Sequence, residues 1–493
     1  MRPEGCEAQV LRALASMPLL DRTEMVALTG RSKGAVYEAV DKLDVGGFCD
    51  AVTHQSTLLP PAERFHLTAA GLRRLAGEDG VSLDALLRSR PVSSRWRRIL
   101  MERLDALAAV YRLASTLAAV AFPIVEFRWY RAMPLDAALT LPDGKTVGIV
   151  RRGNTAERSP FANRMWKLRN WPLPGAVLVL SPDEVRLRHS RRMLDGFPAP
   201  VFLAVENEAV TAAPDDRVWI PRAAGNPLDL RYVLEGLSSG GEVPVEEETQ
   251  RASVPADLSA GGAKRNIPDY LLPATLRAAE KRAIDLISDW PWIAPRELAG
   301  MLGVSHQRAS QIVIPLEALK LVERSHDTGG RLVLTDRALT LLARRDRTSL
   351  TLAKGRWSAA VRFPGDGVVW TNVTGARSRQ LLRNIEHTAA VHGFLAAMTG
   401  QTAHLGWEVV QLDPPRRASR HFPHDDRTRS VNPDAFGVLR KDGATWPFFL
   451  EWERRAVRPS TMSERLAPYL RYFSSHRPTD DHGTRPAVLI VFD

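Results

Sequence analysis

The stretch ELAGMLGVSHQRASQIVIPL, from Glu297 to Leu316, has the spacing of a helix-turn-helix. A first helix with an apolar face is predicted to end at Gly303, because glycine adopts the left-handed turn conformation without a Cβ clash. Ser305 is a favourable N-cap for a second helix. The predicted buried face of that second helix is Ala309, Ile312, Val313 and Leu316.

The outward face of the second helix is polar and is predicted to contact DNA. Side chains of this kind hydrogen-bond base edges and phosphates when a helix lies in the major groove. The residues that follow, 320–335, predict a β-hairpin that turns at 327–330 and forms the wing of a winged helix. The predicted DNA contacts of this half are Ser305, His306, Gln307, Arg308, Gln311 and, in the hairpin, Arg324 and Arg331.

The same pattern occurs earlier in the chain, from Glu24 to Leu43 (EMVALTGRSKGAVYEAVDKL). Gly30 takes the place of the turn glycine, and a longer hairpin is predicted over 45–66. A closing helix, an Ala-Ala-Val helix and an apolar strand also recur in the same order, which predicts a tandem repeat. The predicted DNA contacts of this first copy are Arg31, Ser32, Lys33 and Tyr37.

The repeat predicts a mixed α/β (α+β) chain in which two winged-helix domains are each followed by a small α/β domain. Between the copies lies a segment rich in glycine, serine, alanine and acidic residues, which predicts a flexible linker. The predicted boundaries are 1–82 for the first winged helix, 95–234 for the first α/β domain, 235–269 for the linker, 270–347 for the second winged helix and 355–493 for the second α/β domain.

The composition indicates a basic protein with a polyanionic partner. The 67 basic and 56 acidic residues give a net charge of +11 and a pI near 10.0, which favours double-stranded DNA because neutralised phosphates release counterions. No apolar run approaches the roughly 20 residues of a membrane span. The N-terminal residues lack the apolar core of a signal peptide. We therefore expect a cytoplasmic protein with no membrane partner.

Three carboxylates between residues 431 and 455 predict a site of hydrolytic chemistry. Asp434 opens a predicted strand, and the returning strand places Glu451 and Glu453 on one face. Clustered carboxylates beside an apolar strand repel one another unless a divalent cation neutralises them. Because this arrangement is common in metal-dependent phosphodiester hydrolysis, Asp434 and Glu451 are candidate ligands of Mg²⁺ or Mn²⁺.

The motifs around these carboxylates resemble those of known families. The segments 432–434 and 450–454 resemble the Pro-Asp…(Asp/Glu)-x-Lys nuclease superfamily. The motif residues, in chain order, are Glu386-His387, Trp407-Glu408, Pro433-Asp434-Ala435, Glu451-x-Glu453-Arg454 and Arg465-x-x-x-Tyr469. As an ordered set they are similar to the replication-relaxation family of plasmid and mobile-element proteins. That resemblance implies a winged helix followed by a restriction-endonuclease-like α/β domain.

The sequence departs from the nuclease pattern at Glu453, which stands at the position of the nuclease lysine. The downstream candidate is Arg465, which can clamp a phosphate but cannot act as a base. The candidate catalytic residues are therefore Asp434, Glu451, Glu453 and Arg465. In the alternative interpretation, the carboxylates form structural ion pairs with Arg454, Arg455 and Arg465. The first copy retains Asp136 but has no carboxylate on its return strand, so it is predicted to be a degenerate, non-catalytic copy.

Three functions remain open from the sequence. The first is sequence-specific binding of double-stranded DNA in plasmid or mobile-element replication, mobilisation or its regulation, with two half-sites read by one chain. The second is a Mg²⁺- or Mn²⁺-dependent DNA endonuclease or nickase centred on Asp434, Glu451 and Glu453. The third is an adaptor that recruits a relaxase or a replication initiator to DNA. The missing nuclease lysine favours a protein that binds DNA without cleaving it.

Overall fold

The computed structural model describes residues 5–155, 158–223, 225–237, 240–246, 252–256, 267–453 and 458–492. The chain forms two compact units. Unit 1 consists of Met1–Ala278 and Leu341–Thr348, and unit 2 consists of Ala279–Thr340 and Ser349–Asp493. The fold class is mixed α+β, as predicted. Within the described ranges, no helix combines the length and apolarity that crossing a membrane requires.

Unit 1 begins with helices and a β-hairpin in the predicted order. Gly30 ends the second helix with φ of 64°, and the Ser32 side chain caps the third helix. The elements are α1 (Cys6–Ser16), α2 (Arg22–Thr29), α3 (Lys33–Val45), β1 (Cys49–His54), β2 (Ala62–Leu67), α4 (Ala69–Glu78), α5 (Leu83–Ser89) and α6 (Ser94–Glu102). Strands β1 and β2 pair antiparallel.

A six-stranded sheet in the order β3-β4-β5-β6-β7-β8 follows in unit 1. Strands β3 to β5 are antiparallel, whereas β5, β6 and β7 are parallel, and β8 is antiparallel to β7. Every residue of β5 and β6 is buried, as is usual for strands covered on both faces. The elements are α7 (Leu104–Val120), β3 (Glu126–Trp129), β4 (Ala137–Thr140), β5 (Thr146–Arg151), α8 (Arg158–Arg169), β6 (Ala176–Ser181), α9 (Glu184–Met193), β7 (Val201–Val205), α10 (Glu206–Thr211), β8 (Ile220–Pro221), α11 (Leu230–Glu235) and α12 (Leu272–Thr275).

Unit 2 opens with the helix-turn-helix that the sequence predicts. Gly303 has φ of 68°, and Ser305 caps the second helix. The predicted buried face of that helix is confirmed, since Ala309, Ile312, Val313 and Leu316 are all buried. The elements are α13 (Ala278–Asp289), α14 (Pro295–Leu302), α15 (His306–Ala318), the antiparallel strands β9 (Val322–Ser325) and β10 (Arg331–Leu334), and α16 (Asp336–Arg345), whose residues 341–345 belong to unit 1.

A four-stranded sheet in the order β11-β14-β15-β16 forms the rest of unit 2. Its first three strands are antiparallel and the last pair is parallel, and β12 and β13 form a separate hairpin. The elements are α17 (Leu350–Trp357), α18 (Ala376–Arg383), α19 (Ile385–His404), β11 (Glu408–Asp413), α20 (Pro415–Ala418), β12 (Arg420–His424), β13 (Arg427–Val431), β14 (Ala435–Lys441), β15 (Ala444–Glu453), α21 (Pro459–Phe473), α22 (Arg477–His482) and β16 (Ala487–Phe492).

Asp136 and Asp434 have the same local hydrogen-bond pattern in their respective sheets. Asp136 immediately precedes β4, and its Oδ2 accepts a hydrogen bond from the Arg151 amide of β5 at 2.6 Å. Asp434 immediately precedes β14, and its Oδ2 accepts one from the Trp452 amide of β15 at 2.8 Å. In each unit the aspartate therefore lies at the start of one strand and is held by the end of the next.

The segment 235–269, for which the composition predicts a flexible linker, is packed on unit 1 where it is described. The Tyr130 hydroxyl donates to the carbonyl oxygen of Pro244 at 2.8 Å, and the Ser94 hydroxyl donates to that of Val254 at 2.9 Å. In both hydrogen bonds, a side chain from elsewhere in unit 1 donates to a backbone carbonyl of the segment. Residues 238–239, 247–251 and 257–266 of the segment lie outside the described residues.

Candidate functional site

Helix α15 has an exposed polar side that carries most of the predicted DNA contacts of unit 2. His306, Gln307, Arg308 and Gln311 are exposed. The Arg308 guanidinium donates to Gln311 Oε1 at 3.2 Å, so these two side chains lie together on the open face. The Ser305 hydroxyl accepts a hydrogen bond from the Arg308 amide at 3.2 Å. Ser305 therefore caps the helix, and the four other residues form its accessible surface.

The two hairpin arginines predicted to contact DNA have partners inside unit 2. Arg331 is only 16% exposed, and its Nη1 donates to Glu297 Oε2 at 3.1 Å and to the Trp292 carbonyl at 2.9 Å. Arg324 Nε donates to Glu317 Oε1 at 3.1 Å and remains a third exposed. The Glu297 carboxylate thus binds the guanidinium of Arg331 within unit 2, and contact of Arg331 with DNA stays a prediction.

In unit 1, the corresponding surface of α3 is built differently. Arg31 Nε donates to Gln9 Oε1 at 2.7 Å, and Ser32 caps the helix through the Ala35 amide at 3.4 Å. Lys33 is exposed, and its ammonium lies 5.4 Å from the centroid of the Tyr37 ring, within the range of a cation–π contact. The residues predicted to contact DNA in unit 1 therefore form a cationic and aromatic surface. It has fewer accessible side-chain amides than the exposed face of α15.

Asp434 is hydrogen-bonded through both carboxylate oxygens. His387 Nε2, from α19, lies 2.8 Å from Asp434 Oδ1, and Asp434 Oδ2 accepts a hydrogen bond from the Trp452 amide. The β14–β15 hairpin that positions Asp434 turns at Asp442 and Gly443, which have φ of 50° and 80°. The predicted hairpin is confirmed, and it brings Asp434 beside the carboxylates of β15.

Glu451 and Glu453 are covered by α21. The Tyr469 hydroxyl donates a hydrogen bond to Glu451 Oε1, Arg465 forms an ion pair with Glu453, and Arg465 Nε lies 3.9 Å from Glu451 Oε2. Burial raises the pKa of Glu451 to about 7, and the nearby Asp434 adds to the rise, whereas Tyr469 and Arg465 oppose it. Burial and the neighbouring Glu451 also raise the pKa of Tyr469. Glu451 therefore keeps its proton at pH values between 4.5 and about 7, where an ordinary glutamate is ionised.

All three carboxylates of the cluster contact protein groups in this structure. Within the described part of the chain, no three histidine, cysteine, aspartate or glutamate side chains are grouped as metal ligands. Asp434, Glu451 and Glu453 are each already engaged, and the Arg465 guanidinium supplies the positive charge that a metal would otherwise bring. The alternative partners offered by the sequence, Arg454 and Arg455, lie outside the described residues.

In unit 1, Asp136 is held by two arginines. Arg164 Nη2 and Arg347 Nη1 each lie 2.8 Å from one of its carboxylate oxygens. Burial alone would raise the pKa of Asp136, but the two guanidinium groups hold it well below its usual range. By strand register, the position of Glu451 is taken here by Val150 of β5, and that of Glu453 by Arg152, which directly follows β5. The carboxylate pair of β15 therefore has no counterpart here, as the sequence predicts.

Two hollows in unit 2 were not predicted from the sequence. One has a volume of about 550 Å³ and the other about 640 Å³, and both are lined by Asn384 and His387. The residues that line the hollow of about 550 Å³ come from separate segments between Asp289 and Asp434. No local spacing signals such a site, because the fold alone brings these segments together.

The matched part of the chain begins at the first residue of α14 and ends within β16. Residues 295–488 match the family model described as replication-relaxation. The match includes α15, the β9–β10 hairpin and the sheet with Asp434, and it supports the family resemblance seen in the sequence. The family suggests a role in the replication or mobilisation of plasmids or other mobile elements. No curated protein and no solved structure matches the chain.

Proposed function

We propose that the chain binds a specific sequence of double-stranded DNA through α15, in the replication or mobilisation of a plasmid or mobile element. The proposal rests on the amphipathic character of α15. Its apolar face is buried, and its exposed face presents amide and guanidinium groups after a tight turn at Gly303. A helix of this kind fits the major groove, where such side chains hydrogen-bond base edges.

Further features support a winged-helix interpretation and a second DNA contact in unit 1. The β9–β10 hairpin directly follows α15, as a wing would, and α2, α3, β1 and β2 have the same order in unit 1. The matching hydrogen bonds of Asp136 and Asp434 favour a tandem duplication. Two recognition helices on one chain make the second engagement intramolecular, which can raise affinity by about 100-fold.

The test has two steps. The full chain first selects a duplex from a random pool, and the affinity of each variant for that duplex is then measured by titration. Arg308→Ala and Gln311→Ala should each weaken binding of the selected duplex by roughly 1–3 kcal/mol per lost base contact. Arg471→Ala removes an exposed arginine of α21 and is the matched control. Unchanged binding in both α15 variants would contradict the proposal and favour an adaptor that recruits a relaxase or an initiator.

We infer that the carboxylate cluster has a structural role. Each carboxylate has a protein partner, and cleavage with Mg²⁺ or Mn²⁺ would require Arg465 to leave Glu453 before a cation could enter. In the structure, this guanidinium lies beside the carboxylates where the cation would bind. Metal-dependent nicking of supercoiled plasmid by the full chain is the observation that would restore the endonuclease hypothesis.

A further inference from the structure

The exposed side of α8 in unit 1 carries a tryptophan within a polar stripe. Phe161, Met165 and Leu168 pack the opposite side of the helix into the core of the unit. The exposed residues that follow the stripe at helical spacing are Asn163, Trp166, Lys167 and, directly after the helix, Asn170. Trp166 is 66% exposed. Because the apolar side already anchors α8, packing within unit 1 does not account for this indole.

A second exposed tryptophan lies two residues beyond the end of α8. Trp171 is 46% exposed, and its amide donates to the Leu168 carbonyl at 3.2 Å, which holds it against the last turn of the helix. Asn170 Nδ2 donates to the Trp166 carbonyl at 3.1 Å and stabilises the same turn. Neither indole has a hydrogen bond or a ring contact from another described residue. Two indoles within six residues of chain are therefore open to stacking.

The cations beside the two tryptophans are not neutralised by carboxylates. Lys167 is exposed and has no ion-pair partner within the described ranges. Arg169 is exposed, its Nη2 donates to the Asp195 carbonyl at 2.7 Å, and its guanidinium lies 6.0 Å from the Phe197 ring centroid. Both of these partners are uncharged, and the Asp195 carboxylate forms no ion pair with either cation. The sequence of α8 itself contains no acidic residue.

The neighbouring turn 194–197, which accepts the hydrogen bond from Arg169, adds further positive charge. Arg222 donates to carbonyl oxygens of this turn, and Arg191 Nε donates to the Arg222 carbonyl at 3.0 Å. Among the described residues, neither arginine has a carboxylate partner. The acidic residues of α9, Asp183 and Glu184, are each paired with an arginine of the same helix. An excess of positive charge therefore surrounds the end of α8.

We propose that Trp166, Lys167, Arg169 and Trp171, together the α8 surface, bind an unpaired strand of nucleic acid. Its bases stack on the indoles, and its phosphates lie near the two cations. Aromatic side chains beside cations bind unpaired strands with little sequence preference, because every base has a flat face and every nucleotide a phosphate.

A polyanionic strand matches the charge of the α8 surface, which a neutral protein surface does not. A fully paired duplex also fits poorly, because its base faces are covered within the stack. The chemistry is shared by single-stranded DNA and RNA. The α8 surface lies in unit 1, outside residues 295–488 that match the family, so this inference is independent of duplex recognition by α15.

The experiment measures binding of the full chain to three labelled probes by fluorescence anisotropy. The probes are a mixed-sequence single-stranded DNA, the same sequence as single-stranded RNA, and the blunt-ended DNA duplex. Trp166→Ala and Trp171→Ala should each weaken single-strand binding about tenfold and leave duplex binding unchanged. Trp166→Phe keeps an aromatic ring and should lose less. Lys167→Gln should lower the slope of log affinity against log salt by about 0.7 for a lost phosphate contact.

The matched control is Trp370→Ala in unit 2. Trp370 is 46% exposed, like Trp171, but the Arg383 guanidinium already lies 5.5 Å from its ring centroid. This variant should leave all three affinities unchanged. Preferential binding of one single strand identifies DNA or RNA as the ligand, and equal affinities assign any unpaired strand.

Three outcomes overturn the proposal: neither single strand binds, both tryptophan variants bind it as the wild type does, or they lose single-strand and duplex binding alike. An equal loss in Trp370→Ala also overturns it. If Trp166→Ala or Trp171→Ala lowers the melting temperature, Trp166→Phe and Lys167→Gln decide. A loss of duplex binding in the α15 variants does not affect this result.

Discussion

His387 Nε2 lies 2.8 Å from Asp434 Oδ1, and this contact links α19 to the start of β14. The amide of Trp452 binds the other oxygen of the same carboxylate. Asp434 therefore joins a helix and two strands of unit 2 through one side chain. Its chemistry as a hydrogen-bond acceptor accounts for its place in the fold without a bound cation.

Asp434→Asn is expected to lower the free energy of unfolding by about 1–3 kcal/mol. The side-chain amide of asparagine has only one acceptor oxygen, whereas the carboxylate accepts from both His387 and the Trp452 amide. Urea unfolding measures the change. Asp426→Asn is the control, since Asp426 is exposed in a turn with φ of 54°, which asparagine tolerates. Nicking by the wild-type chain with Mg²⁺ or Mn²⁺ that disappears in Asp434→Asn would instead assign Asp434 to catalysis.

Glu451 predicts a component of stability that depends on pH. The folded state keeps the proton on Glu451 up to about pH 7, whereas the unfolded chain releases it near the ordinary value of 4.5. Between these values the folded state binds more protons, so the free energy of unfolding falls as the pH rises. At about 1.4 kcal/mol per pKa unit, the fall is up to roughly 3 kcal/mol.

Glu451→Gln should remove this component, because glutamine can still accept the hydrogen bond from Tyr469 but does not ionise. The measurement is denaturant unfolding of both proteins across that pH range, and the difference between the two profiles isolates Glu451. Profiles that run parallel from pH 4.5 to pH 7 would show that Glu451 titrates normally in the folded chain.

Arg331→Ala is expected to destabilise unit 2 by about 1–3 kcal/mol, because it leaves the Glu297 carboxylate, which is 14% exposed, without its guanidinium partner. Arg324→Ala is the matched control. Its ion pair with Glu317 is about a third exposed and should contribute less than about 1 kcal/mol. Thermal unfolding of both variants tests this, and equal losses would show that Arg331 is not buried in solution.

Gly30→Ala should destabilise slightly more than Gly303→Ala, because the half-exposed Phe122 ring must turn aside. Both glycines end a helix in the left-handed conformation, where a Cβ costs about 1–2 kcal/mol. A Cβ at Gly30 would also lie 2.5 Å from the Phe122 ring, whereas at Gly303 it meets nothing within 4 Å. Gly47→Ala, in unit 1 with φ of 69° and open space, controls for the unit. A melting temperature of Gly30→Ala no lower than that of Gly47→Ala would contradict the Phe122 contact.

The sequence predicted the parts of the structure that local rules determine. Apolar spacing gave the buried face of α15, and turn chemistry gave its boundaries at Gly303 and Ser305. Alternation and a turn at Asp442 and Gly443 gave the β14–β15 hairpin. Each of these features depends on residues that are close together in the sequence, so periodicity and capping rules suffice to predict it.

The features that the sequence did not predict depend on contacts between distant segments. Arg331 and Glu297 are 34 residues apart, and their ion pair was not predicted from the sequence. His387 and Asp434 are 47 residues apart. The hollow beside them exists only once α13, α17 and α19 have packed. Spacing rules carry no information about such pairs, because they act along a single element.

Unit 1 includes Leu341–Thr348, and this has a consequence for synthesis on the ribosome. Asp136 can pair with Arg347 only after a further 211 residues have been synthesised. Arg151 can pair with Asp346 only after a further 195. At about 5–20 residues per second, the interval is on the order of ten to forty seconds. During that time the nascent N-terminal unit holds charged groups without their final partners. A premature stop between residues 279 and 340 would therefore leave that earlier unit incomplete as well.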